Sequence, residues 1–142
     1  MKHIILITIL FTIASCGKSP LLMQKEVSVS GSSGLSTAKS LNSLGLTLNV
    51  QWLSPISSEQ EAHALLIVKK GDVVADLPEN FSIFLWMPSM GHGSSPITIK
   101  KLSTGLYELT SIYFIMDGAW ELKVQIKNGN AINDETTFEY NI

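Results

Sequence analysis

Apolar and polar residues alternate along most of the chain from Leu46 onward. The alternation is clearest in three stretches, at 46–52, 120–127 and 137–142. A period of two residues is typical of β-strands that bury one face. Weaker forms of the same pattern predict four further strands, at 62–69, 81–87, 97–102 and 106–116. No stretch has a convincing helical period, so the pattern predicts an all-β fold.

Residues that favour turns separate the predicted strands. They include Gly71-Asp72, the loop from Pro88 to Pro96, and Asn128-Gly129. About seven short strands within residues 46–142 are typical of an immunoglobulin-like antiparallel β-sandwich. We therefore predict this architecture, with residues 46–142 as its single domain.

Three positions near the strand ends have their own structural predictions. Trp120 has the inward phase of its strand and is predicted to be a core residue. Tyr107 opens a strand two residues after a glycine, so it is either a tyrosine corner or simply the start of that strand. Asp117-Gly118 is a dipeptide typical of hairpin turns.

The first fifteen residues have the layout of a secretion signal. A basic head at 1–3 precedes an apolar run at 4–13 and the small residues Ala14 and Ser15. The run is too short to span a bilayer, which needs about 20 residues. The tetrapeptide that ends at Cys16 resembles a bacterial lipobox, which implies cleavage before Cys16 and lipidation of its thiol. The alternative is an ordinary signal peptide followed by a free cysteine.

Residues 16–45 are predicted to be a lipid-anchored linker, since they include a Ser/Gly-rich stretch at 28–34. A flexible linker of about 28 residues has a root-mean-square reach of roughly 30 Å. After a lipidated Cys16, Gly17 replaces the Asp associated with inner-membrane retention. The resemblance therefore implies a cell-envelope protein on the outer membrane, facing the periplasm.

Composition excludes several classes of function. The net charge is −2, and all ten basic residues are Lys, which argues against a nucleic-acid partner. A single Cys excludes both an intramolecular disulfide and a Cys-rich zinc site. The sequence also has no nucleophile elbow and no Gly-rich phosphate loop, so we do not expect an enzyme.

The candidate chemistry lies in a loop that contains Met87, Met90 and His92. Its Pro and Gly residues indicate a turn, and exposed Met is costly unless it has a role. Thioethers select Cu(I), and imidazole also suits copper. These three side chains are therefore predicted metal ligands. The alternative is structural, because Met87 is in phase with the apolar face of its strand and the loop itself can pack on the sandwich.

Met116 is a fourth candidate ligand, on an argument from topology. If successive strands alternate in direction, the third strand ends at Met87 and the fifth at Met116, at the same end of the sandwich. Met87, Met90, His92 and Met116 would then form a three- or four-coordinate cluster. The alternative for Met116 is a place in the core.

The segments Met87–Gly93, Gly105–Tyr107 and Met116–Leu122 together resemble the YtkA-like domain family, which is similar to the periplasmic part of FixH-type proteins. The shared pattern is M-P-x-M-x-H-G, then G-x-Y, then M-x-G-x-W. The resemblance implies an extracytoplasmic immunoglobulin-like sandwich with a link to copper handling or oxidase assembly. FixH-type proteins are held by a transmembrane helix, whereas a lipid anchor is expected here.

These observations predict a lipid-anchored envelope module that binds copper, as Cu(I), for trafficking or buffering. Its expected partners are the membrane, through the anchor, and a copper-handling or oxidase-assembly protein. The alternative is an envelope protein–protein interaction module in which the Met/His loop is purely structural.

Overall fold

The computed structural model describes residues 36–142, so the predictions for the signal peptide and for Cys16 lie outside the described residues. This part of the chain contains β-strands and no helix, and therefore no helix that could span a membrane. Ten strands are present: β1 (Lys39–Leu41), β2 (Leu46–Trp52), β3 (Ala62–Lys70), β4 (Val73–Val74), β5 (Phe81–Met87), β6 (His92–Gly93), β7 (Thr98–Ser103), β8 (Leu106–Ile112), β9 (Ala119–Asn128) and β10 (Ala131–Asn141).

The strands form two antiparallel sheets. One has the order β1-β2-β3-β8-β7, with β4 beside β3, and the other has the order β10-β9-β5-β6. The longer strands β2-β3-β8-β7 and β10-β9-β5 reproduce the four-plus-three arrangement of a constant-type immunoglobulin sandwich. The predicted fold class is therefore confirmed.

The number of strands differs from the prediction, with ten in place of about seven. The additional strands β1, β4 and β6 contain only two or three residues each, too few for a periodic pattern to show. The strand β1 pairs with β2 inside the range assigned to the linker, so the sheet begins before Leu46. The strand β8 ends at Ile112, so its predicted extension to Met116 is wrong.

The core lies between the two sheets and follows the alternation in the sequence. In β2 the apolar residues Leu46, Leu48, Val50 and Trp52 are buried, while the residues between them are not. The prediction for Trp120 is confirmed, since only 1% of this residue is exposed. All ten strands and this core lie within residues 39–141.

The segment 113–118 carries the chain from one sheet to the other, because β8 and β9 belong to different sheets. The hairpin predicted at Asp117-Gly118 is therefore wrong. The backbone of Gly118 instead pairs with Ile142, with one hydrogen bond in each direction at 3.0 Å.

Tyr107 is the second residue of β8, and its hydroxyl secures the segment between β4 and β5. The Leu77 N–H donates to this hydroxyl at 3.0 Å, and the hydroxyl lies 3.3 Å from a carboxylate oxygen of Asp76. A tyrosine corner precedes the strand that corresponds to β9 and bonds backbone a few residues upstream. That interpretation is wrong here, since the bonded backbone is thirty residues away.

Candidate metal site

A tight hairpin places two of the predicted ligands opposite each other. Met87 at the end of β5 is the register partner of His92 at the start of β6. The Met87 carbonyl accepts hydrogen bonds from the N–H groups of Met90 (3.2 Å) and Gly91 (3.0 Å), and Gly91 has a φ of 66°. Opposed residues of an antiparallel pair point to the same face, with Cβ atoms about 5 Å apart. The hairpin therefore brings a thioether and an imidazole together.

The three side chains of the hairpin differ in burial. Met87 is 4% exposed and belongs to the core, in phase with Ile83 and Leu85. His92 is half-buried, whereas Met90 at the turn is 58% exposed. Met87 therefore has the core position considered as its alternative role, and it also borders the loop. Met90 is the ligand candidate that solvent reaches most freely.

The backbone beside His92 offers its ring a hydrogen-bond acceptor. The Nδ1 atom lies 3.0 Å from the carbonyl oxygen of Gly93, so a proton on Nδ1 forms a hydrogen bond there. In that tautomer Nε2 keeps its lone pair, as a metal-ligating histidine requires.

Gly93 follows His92 for a steric reason that the sequence alone did not reveal. A Cβ atom at this position would come within 2.7 Å of the carbonyl oxygen of Leu85. Any other residue would push β6 away from β5 and with it the imidazole of His92. The signal in the sequence was the glycine that follows the histidine in the loop motif.

Met116 reaches the same end of the sandwich from the other sheet. It is half-buried and packs against the core, and its carbonyl accepts a hydrogen bond from the indole N–H of Trp120 at 2.9 Å. Two residues further on, a Cβ at Gly118 would lie 2.7 Å from the terminal methyl carbon of Met87. The segments that carry Met87 and Met116 therefore meet, as the direction of the strands predicts.

Four aromatic side chains pack together at this end of the sandwich. Trp52 and Tyr140 are perpendicular, with ring centroids 5.1 Å apart, and Phe114 and Trp120 are perpendicular at 5.8 Å. Burial raises the pKa of Tyr140 to about 12, partly offset by the nearby indole of Trp52, although the two polar atoms fall short of hydrogen-bond geometry. The cluster forms a rigid apolar support beside the candidate ligands.

Glu61, just before β3, fixes the start of the segment 113–118 that crosses between the sheets, here called the crossing segment. It accepts hydrogen bonds from the Ser111 N–H at 2.6 Å and from the Tyr113 hydroxyl at 3.0 Å, and it lies 3.2 Å from Nε2 of His63. The Ser111 N–H and the Tyr113 hydroxyl hold the pKa of Glu61 below its ordinary value. In turn, Ser94 of the loop after β6 donates to the Tyr113 carbonyl at 2.5 Å.

Between Ser36 and Ile142, no three His, Cys, Asp or Glu side chains come together as metal ligands. The three candidate ligands other than His92 are methionine thioethers. Of these, Met87 lies opposite His92 and Met90 lies on the turn, while the segment that carries Met116 meets Met87 at Gly118.

Comparison with known proteins adds one match. A family model described as YtkA-like matches residues 42–125, a range that includes all four candidate ligands. No curated protein and no solved structure matches the chain.

Proposed function

The chain belongs to the YtkA-like family, whose model covers more than half of it, and from this premise we propose that it is a lipid-anchored cell-envelope module that binds Cu(I). Met87, Met90, His92 and Met116 are the proposed ligands. The observation that carries the proposal is the opposition of Met87 and His92 across the hairpin, next to the segment that holds Met116.

The donor set favours Cu(I) over harder cations. Thioether sulfur is a soft ligand that selects Cu(I), and a neutral imidazole is compatible with the same ion. Thioethers also bind without losing a proton, and they form no disulfides in an oxidising compartment. Ca²⁺ and Mg²⁺ prefer oxygen ligands.

The uneven burial of the ligands suits a protein that takes up and releases its metal. Met87 is buried and Met90 is exposed, so an incoming ion first meets the outer thioether and then the inner ligands. A blue-copper electron-transfer site uses a Cys thiolate with two His. Residues 46–142 contain no Cys, so we propose trafficking or buffering of copper and not redox turnover.

The location and partners in this proposal come from the N-terminal sequence and the family. Lipidation of Cys16 would tether the domain to the outer membrane, facing the periplasm. The proposed recipient or donor of the ion is a copper-handling or oxidase-assembly protein of the same compartment.

The test is a Cu(I) competition titration against a chromogenic chelator. The protein is the chain 17–142, which keeps every described residue and lacks the only thiol. We expect one ion per chain, and loss of binding in the variant Met90→Leu/His92→Ala. The matched control is Met23→Leu/His63→Ala, which removes the same two residue types elsewhere and should bind as the unmodified chain does.

No binding by the unmodified chain would refute the copper proposal and favour a second candidate function. Three exposed apolar side chains lie in loops at the end of the sandwich that carries Met87 and His92. They are Leu53, Met90 and Ile115, and they favour a surface for a protein partner. In that case Met90→Leu/His92→Ala would leave the cellular role intact. A defect equal to that of complete deletion, together with lost metal binding, would exclude this second function.

A further inference from the structure

Trp120 makes one polar contact, and that contact reaches a proposed ligand. Its indole N–H donates to the carbonyl oxygen of Met116 over 2.9 Å. Met116 lies in the segment between β8 and β9, where no sheet ladder holds the backbone. The indole therefore supplies a fixed hydrogen bond at a point where regular structure supplies none.

The donor is itself rigid. Trp120 is 1% exposed, and Phe114 packs against it edge to face with ring centroids 5.8 Å apart and an interplanar angle of 87°. Trp120 is also paired with Tyr140 in the β9–β10 ladder. Because the Trp120 ring is held on several sides, its N–H has a fixed position and restrains the Met116 carbonyl that it binds.

The same short segment is held at a second point. The backbone of Gly118 exchanges two hydrogen bonds with Ile142, and the methyl of Met87 occupies the space beside its Cα. Met116, Gly118 and Trp120 thus alternate along five residues, with a candidate ligand at one end and an anchoring ring at the other.

We infer that Trp120 is a positioning residue of the metal site, which fixes the backbone of Met116 so that its thioether faces the hairpin before any ion arrives. This inference rests on the proposed function and extends it to a residue that binds no metal. A ligand whose backbone is already ordered loses less freedom on binding, and the affinity rises accordingly.

The experiment removes the indole N–H and keeps the ring. Trp120 is replaced by 3-benzothienylalanine, in which sulfur takes the place of the N–H group, in the chain 17–142. The loss of one hydrogen bond is expected to lower Cu(I) affinity about tenfold. In the metal-free protein, the ε-methyl NMR signal of Met116 should change from one sharp resonance to a broadened or doubled one.

Trp52 provides the matched control, because it is 3% exposed and its Nε1 has no hydrogen-bond partner. The same replacement at Trp52 should leave both Cu(I) affinity and the Met116 signal unchanged. Equal losses of affinity at the two positions would overturn the inference, since they would indicate a general effect on the aromatic cluster. Unchanged affinity and an unchanged Met116 signal in the Trp120 variant would overturn it as well.

The inference and the proposed function fail in different ways. Absence of Cu(I) binding by the unmodified chain refutes the function, and the metal-free methionine spectra then decide whether Trp120 orders Met116. Normal binding by the unmodified chain and by the Trp120 variant, with an unchanged Met116 signal in the variant, refutes only the positioning role.

Discussion

The terminal methyl of Met87 lies so close to Gly118 that a Cβ atom at position 118 would be only 2.7 Å from it. Gly118 also has a φ of 135°, which side-chain-bearing residues rarely adopt. Met87 ends β5, and Gly118 lies directly before β9, the neighbouring strand of the same sheet, so their contact joins the hairpin to the crossing segment.

Gly118→Ala should therefore destabilise the fold by about 1–3 kcal/mol, because the methyl of Met87 must move and the backbone is strained. Urea denaturation measures the change. Gly129→Ala is the control, since Gly129 also has a positive φ of 62° but open space around it. Equal costs at the two positions would show that the contact with Met87 contributes nothing.

Substitutions at Met87 and Met90 should separate core packing from ligation. Met87→Leu keeps the buried volume and should cost less than about 1.5 kcal/mol, whereas Met87→Ala should cost about 2–5 kcal/mol. Met90→Leu is exposed and should change stability by no more than about 0.5 kcal/mol. Both Leu variants should weaken Cu(I) binding, as measured by chelator competition. A Met87→Leu protein with unaltered affinity would assign Met87 to the core alone.

Tyr107→Phe should destabilise the protein by about 1–3 kcal/mol, because the buried Leu77 N–H would lose its acceptor. Thermal and urea unfolding measure this cost. Tyr113→Phe serves as the comparison, since its hydroxyl is also hydrogen-bonded but its side chain is 39% exposed. A smaller effect at Tyr107 than at Tyr113 would contradict the buried role of the Tyr107 hydroxyl.

Tyr140 should make the fold sensitive to alkali. Burial raises its pKa from 10.0 to about 12, so the folded state disfavours the phenolate. The associated stability is complete below pH 10, the unfolded value, and is lost as the pH rises through about 12. Two pKa units correspond to roughly 2–3 kcal/mol. Unfolding midpoints between pH 9 and pH 12, compared with Tyr140→Phe, test this; parallel pH profiles would refute it.

Acid should weaken the contact that holds the crossing segment. Hydrogen bonds from Ser111 and Tyr113 lower the pKa of Glu61 below 4.5. The folded protein therefore gains stability from this carboxylate above pH 4.5 and loses it as the pH falls through the lowered pKa. Glu61→Gln should flatten this part of the stability profile in acid. An acid profile identical to that of the unmodified chain would show that Glu61 makes no contribution.

Much of the candidate site could be predicted because it depends on strand direction. Met87 ends one strand, and Met116 follows another strand that runs in the same direction. Their position at the same end of the sandwich could therefore be predicted without knowing the loop conformations. The register that places His92 opposite Met87 could not be predicted, since β6 contains only two residues. The roles of Gly93 and Gly118 were equally hidden, because each depends on one atom of a residue in β5.

The sequence by itself determined the β-sandwich fold and the residues that are candidates for metal binding. Alternation of apolar and polar residues is a local property, and it is sufficient to define the long strands and their buried faces. Only the tertiary structure decided how the connections run. Asp117-Gly118 has the local signal of a hairpin, yet it lies in the segment that joins two sheets, because β8 and β9 do not pair and the backbone of Gly118 bonds instead to Ile142, next to β10. Local patterns specify which face of a strand is buried; which strands meet depends on contacts between residues far apart in the chain.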